Sequence, residues 1–190
     1  MKFLKSLYLT NRFFIALFIF VIGFILCFIF DSFLFTLKLL LGVFALIFLL
    51  DILALFLPKN AFTGKRICPD RLSNGDINKI SVHLQNHYTV DTYVTVVEEA
   101  PKQFQLRNLT FSTKVVSGGE KTIHYDLRPT QRGEYDFGAV NVYVSSFIGL
   151  VQRRYKFDEQ KKVAVYPSFI NMNKYELMAA LHGLTNFGAV

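Results

Sequence analysis

The chain begins with two long apolar runs and then changes to short stretches in which apolar and polar residues alternate. The first run, residues 13–30, has eighteen residues without a charge. The second, residues 33–57, has Lys38 and Asp51 as its charged residues and is ended by Pro58. At 1.5 Å per helical residue the first run measures about 27 Å, close to the thickness of a bilayer's hydrocarbon core. The two runs predict a transmembrane hairpin.

The residues around the runs predict where the rest of the chain lies. A cleaved signal peptide is excluded because large residues occupy the cleavage position and a second apolar run follows at once. The hairpin domain is expected to comprise residues 1–60. Basic residues lie on both sides of the two apolar runs: Lys2, Lys5 and Arg12 precede the first, and Lys59, Lys65 and Arg66 follow the second. By the positive-inside rule, this pattern predicts a multi-pass protein of the cytoplasmic (inner) membrane. Everything from residue 61 onward is then expected on the cytoplasmic side.

The two charges inside the second run are expected to be structural rather than part of an ion pathway. Lys38 is near the outer end and can extend to the surface, towards Asp31. Asp51 lies six residues before Leu57, about 9 Å inside the end of the helix. In an antiparallel hairpin the start of the first helix lies beside the end of the second. Arg12 is therefore expected to form an intramembrane pair with Asp51.

Residues 61–168 show the period of two that is typical of β-strands. About seven strands are predicted, at residues 79–84, 93–97, 111–115, 123–127, 140–145, 150–157 and 163–166. Short strands separated by Asn-, Gly- and Pro-containing turns favour an antiparallel, immunoglobulin-like β-sandwich, with a small β-barrel of the same strands as the alternative. A short helix, Met172–Leu184, is predicted near the end. The fold class is therefore a membrane-anchored all-β protein.

Composition agrees with this division. The 190 residues are 52% hydrophobic and 18% charged, and 13 of the 21 phenylalanines precede residue 61. The net charge of +7 is spread over both parts, whereas a nucleic-acid interface needs clustered basic residues, so no nucleic-acid partner is expected. Two distant cysteines, Cys27 and Cys68, predict no disulfide framework.

The strand-rich part shows no residue pattern that predicts catalysis. The Gly-Gly-Glu-Lys sequence at residues 118–121 lacks the spacing of a phosphate-binding loop. His83 and His87 have no third metal ligand nearby in the sequence. Glu98 and Glu99 are adjacent, so on a strand they point to opposite faces and cannot share acid–base work. We therefore expect a protein that is not an enzyme, without catalytic residues, cofactor or metal.

The densest basic cluster has two interpretations. Its members are Arg153, Arg154, Lys156, Lys161 and Lys162. It can contact anionic lipid headgroups near the membrane. It can equally be a solvated edge hairpin that its charges protect from aggregation.

The most informative stretch is Arg-Gly-Glu-Tyr-Asp-Phe-Gly at residues 132–138. Gly133 permits a tight turn into a strand. Tyr135 is predicted to form a tyrosine corner, in which a buried ring donates its hydroxyl to a nearby backbone group. Gly138 allows a bulge or a close approach of two backbones.

Together with later residues, this stretch resembles a known family. The residues that carry the resemblance are Arg132, Gly133, Tyr135, Phe137, Gly138, Gly149, Leu150, Tyr166 and Pro167. With the hairpin before them, they resemble, over essentially the whole chain, the amino-terminal half of the bacterial membrane proteins of domain-of-unknown-function family 58.

The resemblance implies a membrane-anchored accessory or scaffold protein with no known enzymatic activity. Members are often encoded beside MoxR-type ATPases, so the expected partners are the lipid bilayer and such an ATPase. In the family a region similar to a von Willebrand factor A domain follows, so residues 169–190 are expected to link to a carboxyl-terminal domain missing from this sequence. The alternative is a fragment of an envelope-maintenance membrane enzyme whose catalytic domain is also missing.

Overall fold

The computed structural model describes residues 5–29, 33–106, 109–158 and 160–167. The helix predicted at residues 172–184 and Asp31, the suggested partner of Lys38, lie outside these residues. The described part consists of two helices and eleven strands.

The two apolar runs form helices α1, Asn11–Ile29, and α2, Leu34–Phe56. The helices pack through aromatic rings, because the ring of Phe13 lies 4.8 Å from that of Phe48 and 5.9 Å from that of Phe44. The backbone continues in helical conformation to Phe56 and ends just before Pro58, which has no N–H to donate. The result is the helical hairpin that the sequence predicts.

Most apolar side chains of this hairpin point away from the rest of the molecule. Only 11% of the apolar stretch of α2 is buried, so α2 is not the core helix of a globular domain. Within the described residues, α2 is the one helix that is long and apolar enough to cross a membrane, and the apolar part of α1, Asn11–Cys27, is shorter.

The bounds of the strands in the described part of the chain follow. The strands are β1 (Leu7–Leu9), β2 (Phe62–Ile67), β3 (Arg71–Ser73), β4 (Asn78–Asn86), β5 (Thr92–Glu98), β6 (Leu109–Val115), β7 (Glu120–Leu127), β8 (Gly133–Phe137), β9 (Val140–Ser145), β10 (Val151–Phe157) and β11 (Lys161–Tyr166). A single 3-10 turn, Lys102–Phe104, connects β5 to β6 in the described part of that segment.

The strands form a two-layer sandwich. One layer is an antiparallel sheet in the order β1-β10-β9-β5-β6, and the other contains two three-stranded sheets, β2-β4-β7 and β3-β11-β8. This arrangement confirms the predicted β-sandwich. The small-barrel alternative is wrong, because the large sheet is open, with β1 and β6 as its edges.

The core follows from the period of two. Val94 and Val96 of β5 and Val142 and Val144 of β9 point inward and are fully buried. From the other layer, alternate residues of β4 meet them, and Ile80, Val82 and Leu84 are all at most 1% exposed. Alternate apolar residues on both layers therefore exclude water, which is the main favourable contribution to folding.

The strand before the hairpin was not predicted. β1 pairs with β10 in antiparallel register, with Leu7 opposite Arg153 and Leu9 opposite Val151. One strand of the large sheet therefore lies before the predicted domain boundary at residue 61. Because β10 lies between β1 and β9, the interpretation of its basic residues as part of an edge hairpin is wrong.

Candidate functional site: the junction between hairpin and sandwich

The connection between β9 and β10, which we call the junction loop, residues 146–150, is bound to the end of α2. The carboxylate of Asp51 is fully buried there. It accepts hydrogen bonds from the Ser146 hydroxyl and from the backbone N–H groups of Leu150, at 2.9 Å, and Val151, at 3.0 Å. Ser146 in turn accepts the N–H of Ile148 at 3.1 Å. One carboxylate thus organises the whole turn.

These contacts explain how a carboxylate can be buried when none of the described residues is a cation bonded to it. Removing a charged group from water is costly unless hydrogen bonds replace those of the solvent. Bonds to a charged acceptor contribute about 1.5–3 kcal/mol each, roughly twice the value of neutral ones. Asp51 has three such donors, and all three belong to the sandwich.

The first turn of α1 and the residue before it hold the same loop from the other side. Thr10 donates its hydroxyl to the carbonyl of Gly149 at 2.6 Å and its N–H to the carbonyl of Leu150 at 3.1 Å. Arg12 donates to the carbonyl of Ile148 at 3.4 Å. Both ends of the hairpin are therefore attached to the junction loop.

The predicted intramembrane pair of Arg12 and Asp51 needs correction. Both residues are described, and neither is the other's hydrogen-bond or ion-pair partner. Each contacts the junction loop instead, because that loop offers Asp51 backbone donors and offers Arg12 a carbonyl. Asp51 therefore lies at the contact between helix and sandwich.

Gly149 and Leu150, two of the motif residues, are part of this junction, and both are buried. Gly149 has a φ of +68°, which favours glycine. A Cβ atom there would also lie 3.1 Å from the guanidinium of Arg12. The glycine thus serves both the turn and the close approach of α1.

The last turn of α2 is capped by side chains of the sandwich. Arg153 donates to the carbonyls of Leu55, at 2.6 Å, and Pro58, at 3.0 Å. The Tyr88 hydroxyl also donates to the Leu55 carbonyl, at 2.8 Å. The last carbonyls of a helix lack internal partners and carry partial negative charge, so a cation there is favourable. Leu55 itself is 1% exposed and belongs to the sandwich core.

Two tyrosines complete the cap. The hydroxyls of Tyr88 and Tyr155 lie 2.8 Å apart, and the guanidinium of Arg153 lies 4.8 Å from the centre of the Tyr155 ring. Burial raises the pKa of both phenols above the ordinary value. Both therefore remain neutral hydrogen-bonding groups at physiological pH.

A second buried polar cluster lies at the opposite end of the sandwich. Arg66 of β2 donates to the carboxylate of Glu98 of β5 and, at 2.8 Å, to the carbonyl of Gly138. Both side chains of the ion pair are almost fully buried. Burial raises the pKa of Glu98, while the guanidinium of Arg66 acts in the opposite direction. Counting Arg66 among the flanking charges of the hairpin is therefore wrong, because it lies inside the sandwich.

The Arg-Gly-Glu-Tyr-Asp-Phe-Gly stretch borders this second cluster. Tyr135 is 1% exposed and donates its hydroxyl to the carbonyl of Gln131 at 3.0 Å, which is the geometry of a tyrosine corner. Gly133 has a φ of +135°. A Cβ at Gly138 would lie 2.6 Å from a carboxylate oxygen of Glu99, so the backbone approaches that side chain closely. Phe137 is buried, with its ring 5.2 Å from the Arg66 guanidinium.

The other motif residues lie apart from both clusters. Arg132 and Pro167 are exposed. Tyr166 is also exposed and packs against the guanidinium of Arg71, 5.0 Å from the ring centre. The structure therefore divides the motif residues between the junction, the second cluster and the surface.

The predicted basic cluster is divided in the same way. Arg153 caps α2, whereas Arg154 points to the opposite face of β10 and donates to Asn141 at 2.6 Å. Lys161 lies on β11 and pairs with Asp70 at 3.1 Å. These residues do not form one basic surface, because neighbours on a strand point to opposite faces.

The junction was only partly visible in the sequence. Asp51 is conspicuous as a charge within an apolar run, but Ser146 and Leu150 lie about 100 residues further along the chain. Arg153 and Tyr88 carry no local signal. For Arg66 a signal existed in its partner, since Glu98 continues the inward-facing series of Val94 and Val96.

Comparisons with known proteins yield a fold-level likeness. No family model and no curated protein matches the chain. The chain is similar to PapD-like domain 7 of human CEP192, at 18% identity and a TM-score of 0.44, over 58% of this chain and 89% of that one. It is also similar to the CARDB domain of the PF1109 protein from Pyrococcus furiosus, solved with di-metal ions, at 18% identity and a TM-score of 0.37, over 55% and 87% of the two chains. The described residues define a β-sandwich protein with an apolar helical hairpin.

Proposed function

We propose that the chain is a non-catalytic, membrane-anchored interaction or scaffold module. The hairpin provides the anchor, and the sandwich provides the surface for partners. The observation that carries this proposal is the junction, where Asp51 and Leu55 of α2 are built into the sandwich. Through it the sandwich is held in a fixed position relative to the hairpin rather than attached by a free linker.

The outer surface of the hairpin supports the membrane part of the proposal. Phe14, Ile15 and Phe18 of α1 and Phe35 of α2 are more than half exposed. Soluble proteins rarely expose large contiguous apolar surfaces, and lipid is the natural environment for two adjacent apolar helices. Extraction of cell membranes with alkaline carbonate tests the anchor. The full chain is expected to stay in the membrane pellet, and its release into the supernatant would contradict the proposal.

The cytoplasmic position of the sandwich is the finer part of the proposal. Lys5, Arg12 and Lys59 lie at the open end of the hairpin, and this set supports the orientation without Lys65 and Arg66, which belong to β2 of the sandwich. Alkaline phosphatase and a fluorescent protein, each fused after Val190, give opposite signals on the two sides. We expect fluorescence without phosphatase activity, and an active phosphatase fusion would reverse the assignment.

The proposed partner is a MoxR-type ATPase, and the family resemblance of residues 132–167 supports it. In that family a domain similar to von Willebrand factor A follows the region that this sequence resembles, and we expect that domain to bind the ATPase. Sequencing the gene beyond the codon for Val190 tests this. A following domain of that kind supports the accessory role, and a hydrolase or transferase motif supports the alternative, a fragment of an envelope-maintenance enzyme.

A further inference from the structure

The tip of the junction loop exposes two consecutive apolar residues beside the hairpin. Phe147 is 80% exposed and Ile148 is 40% exposed. Their neighbours Ser146 and Gly149 are buried and bonded to Asp51 and Thr10, so the tip is held outward by a fixed turn. Isolated exposed apolar residues are common, and what distinguishes this pair is its position.

The lengths of the helices place the tip at a defined height. α1 begins one residue after Thr10, whose N–H bonds Leu150, so α1 starts at the level of the junction loop. Its 19 residues measure about 28 Å. The part of α2 between Leu34 and Asp51 measures about 27 Å. Both projecting lengths match the ~30 Å hydrocarbon core of a bilayer.

We infer that Phe147 and Ile148 insert into the interfacial layer of the bilayer, as an additional lipid contact beside the hairpin. This inference rests on the proposed membrane anchor. If the two helices fill the hydrocarbon core, its boundary falls at the junction loop. Moving an aromatic and an aliphatic side chain from water into this layer lowers the free energy of the system.

Polar groups next to the tip suit the headgroup region. A cavity of about 480 Å³ adjoins the loop, and its lining includes Asn11, Arg12, Tyr93 and Gln152. A guanidinium and a phenol at this height can bond lipid phosphates while Phe147 lies among the upper parts of the acyl chains. The apolar tip and the polar cavity thus match the acyl chains and the headgroups of a membrane interface, respectively.

Single tryptophan substitutions test the inference, since the chain contains no tryptophan. Three variants of the full chain are reconstituted in phosphatidylcholine–phosphatidylglycerol vesicles: Phe147→Trp, Phe18→Trp and Ile77→Trp. Phe18 lies midway along α1, and Ile77 lies before β4 at the opposite end of the sandwich, so they mark the core of the bilayer and water. Their exposures, 64% and 66%, are comparable with that of Phe147.

Quenching by lipids brominated near the headgroup or near the chain end reports the depth of each tryptophan. Phe147→Trp is expected to be quenched several-fold more than Ile77→Trp, and mainly by the shallow bromines. Phe18→Trp is expected to respond mainly to the deep bromines. If Phe18→Trp is quenched while Phe147→Trp matches Ile77→Trp, the loop inference is wrong and the anchor stands. If neither Phe18→Trp nor Phe147→Trp is quenched, the proposed anchor itself is wrong.

Discussion

Two buried charged sites, at opposite ends of the sandwich, are stabilised in different ways. Asp51 is surrounded by hydrogen-bond donors of the junction loop. Arg66 and Glu98 neutralise each other, but two guanidinium nitrogens of Arg66, Nε and Nη1, have no hydrogen-bond partner among the described residues. The first site is satisfied by hydrogen bonds and joins two parts of the chain. The second is stabilised mainly by the attraction between the opposite charges of Arg66 and Glu98, and both residues lie within the sandwich.

The difference shows what each kind of site can do. Backbone N–H groups can take the place of a counter-ion only where several of them in one loop point at the carboxylate. The shape of that loop then depends on the carboxylate. A buried ion pair adds little net stability, since desolvation offsets the attraction, but it is costly to break. Asp51 is therefore expected to control the junction, and the Arg66–Glu98 pair is expected to affect the sandwich alone.

The largest expected effect is that of Asp51→Leu. It leaves the Ser146 hydroxyl and the N–H groups of Leu150 and Val151 buried without an acceptor, at about 1–3 kcal/mol each. The measurement is hydrogen exchange of the peptide covering residues 146–151 in the reconstituted full chain, which should become much faster. Asp51→Asn keeps one oxygen acceptor and is the matched control, with a smaller increase. Unchanged exchange in Asp51→Leu would show that the junction does not depend on this carboxylate.

Breaking the second site should destabilise the sandwich without loosening the junction. Arg66→Met leaves the Glu98 carboxylate buried and uncompensated, which costs about 3–5 kcal/mol in the free energy of unfolding. The double variant Arg66→Met/Glu98→Leu removes the lone charge and should recover most of that loss. Denaturant unfolding measures both, and exchange at residues 146–151 should stay that of the parent. A double variant no more stable than Arg66→Met would contradict this account.

The same pair predicts a dependence on pH. Burial raises the pKa of Glu98 in the folded state, so folding favours the protonated carboxyl. The contribution of Glu98 to stability is therefore fully present below its unfolded pKa and is lost as the pH rises through the folded pKa. The parent should gain stability relative to Glu98→Gln when the pH falls from neutral towards the ordinary glutamate value. Denaturation midpoints across that range measure the gain, and a constant difference would refute it.

A smaller effect is expected at the tyrosine corner. Tyr135→Phe removes the hydrogen bond to the Gln131 carbonyl and keeps the buried ring, at a cost of about 1 kcal/mol. Tyr93→Phe is the matched control, because Tyr93 is 44% exposed and exposed substitutions usually change stability by less than about 0.5 kcal/mol. Equal urea midpoints for the two variants would remove the stabilising role of the corner.

The elements that sequence reasoning found are those with enough residues to show a period. β4, β5 and β9 alternate over six to nine residues, and the long apolar runs that became α1 and α2 are unmistakable. β1 and β3 have three residues each, too few to establish an alternation. β2 has six residues but was not predicted, because its apolar residues Phe62 and Ile67 are five positions apart and do not follow a period of two. The sequence predicts a turn and a tyrosine corner at β8 but no strand, although Tyr135 and Phe137 alternate with charged residues there.

The contacts of the site could not be predicted because they depend on pairings distant in sequence. Asp51 is a charged residue within an apolar run, so the sequence correctly indicates that it needs a polar partner. In a two-helix hairpin Arg12 is the nearest candidate for that partner. The actual donors come from a loop whose proximity follows from the sandwich wrapping around the end of α2. Only the folded topology contains that information.

The pairing of β1 with β10 has a consequence for handling the sandwich in isolation. A fragment that starts at residue 61 lacks both β1 and the Leu55 side chain, so the N–H and C=O groups of β10 become an unprotected edge beside an opened core. Such an edge is a template on which another chain can add a strand. We expect the excised fragment to self-associate, which light scattering would detect as particles larger than a monomer, whereas the full chain in detergent should not show this strand-mediated growth. The strand content measured for the excised fragment would then be that of an assembly in which a strand of one molecule pairs with β10 of another, in the place of the missing β1.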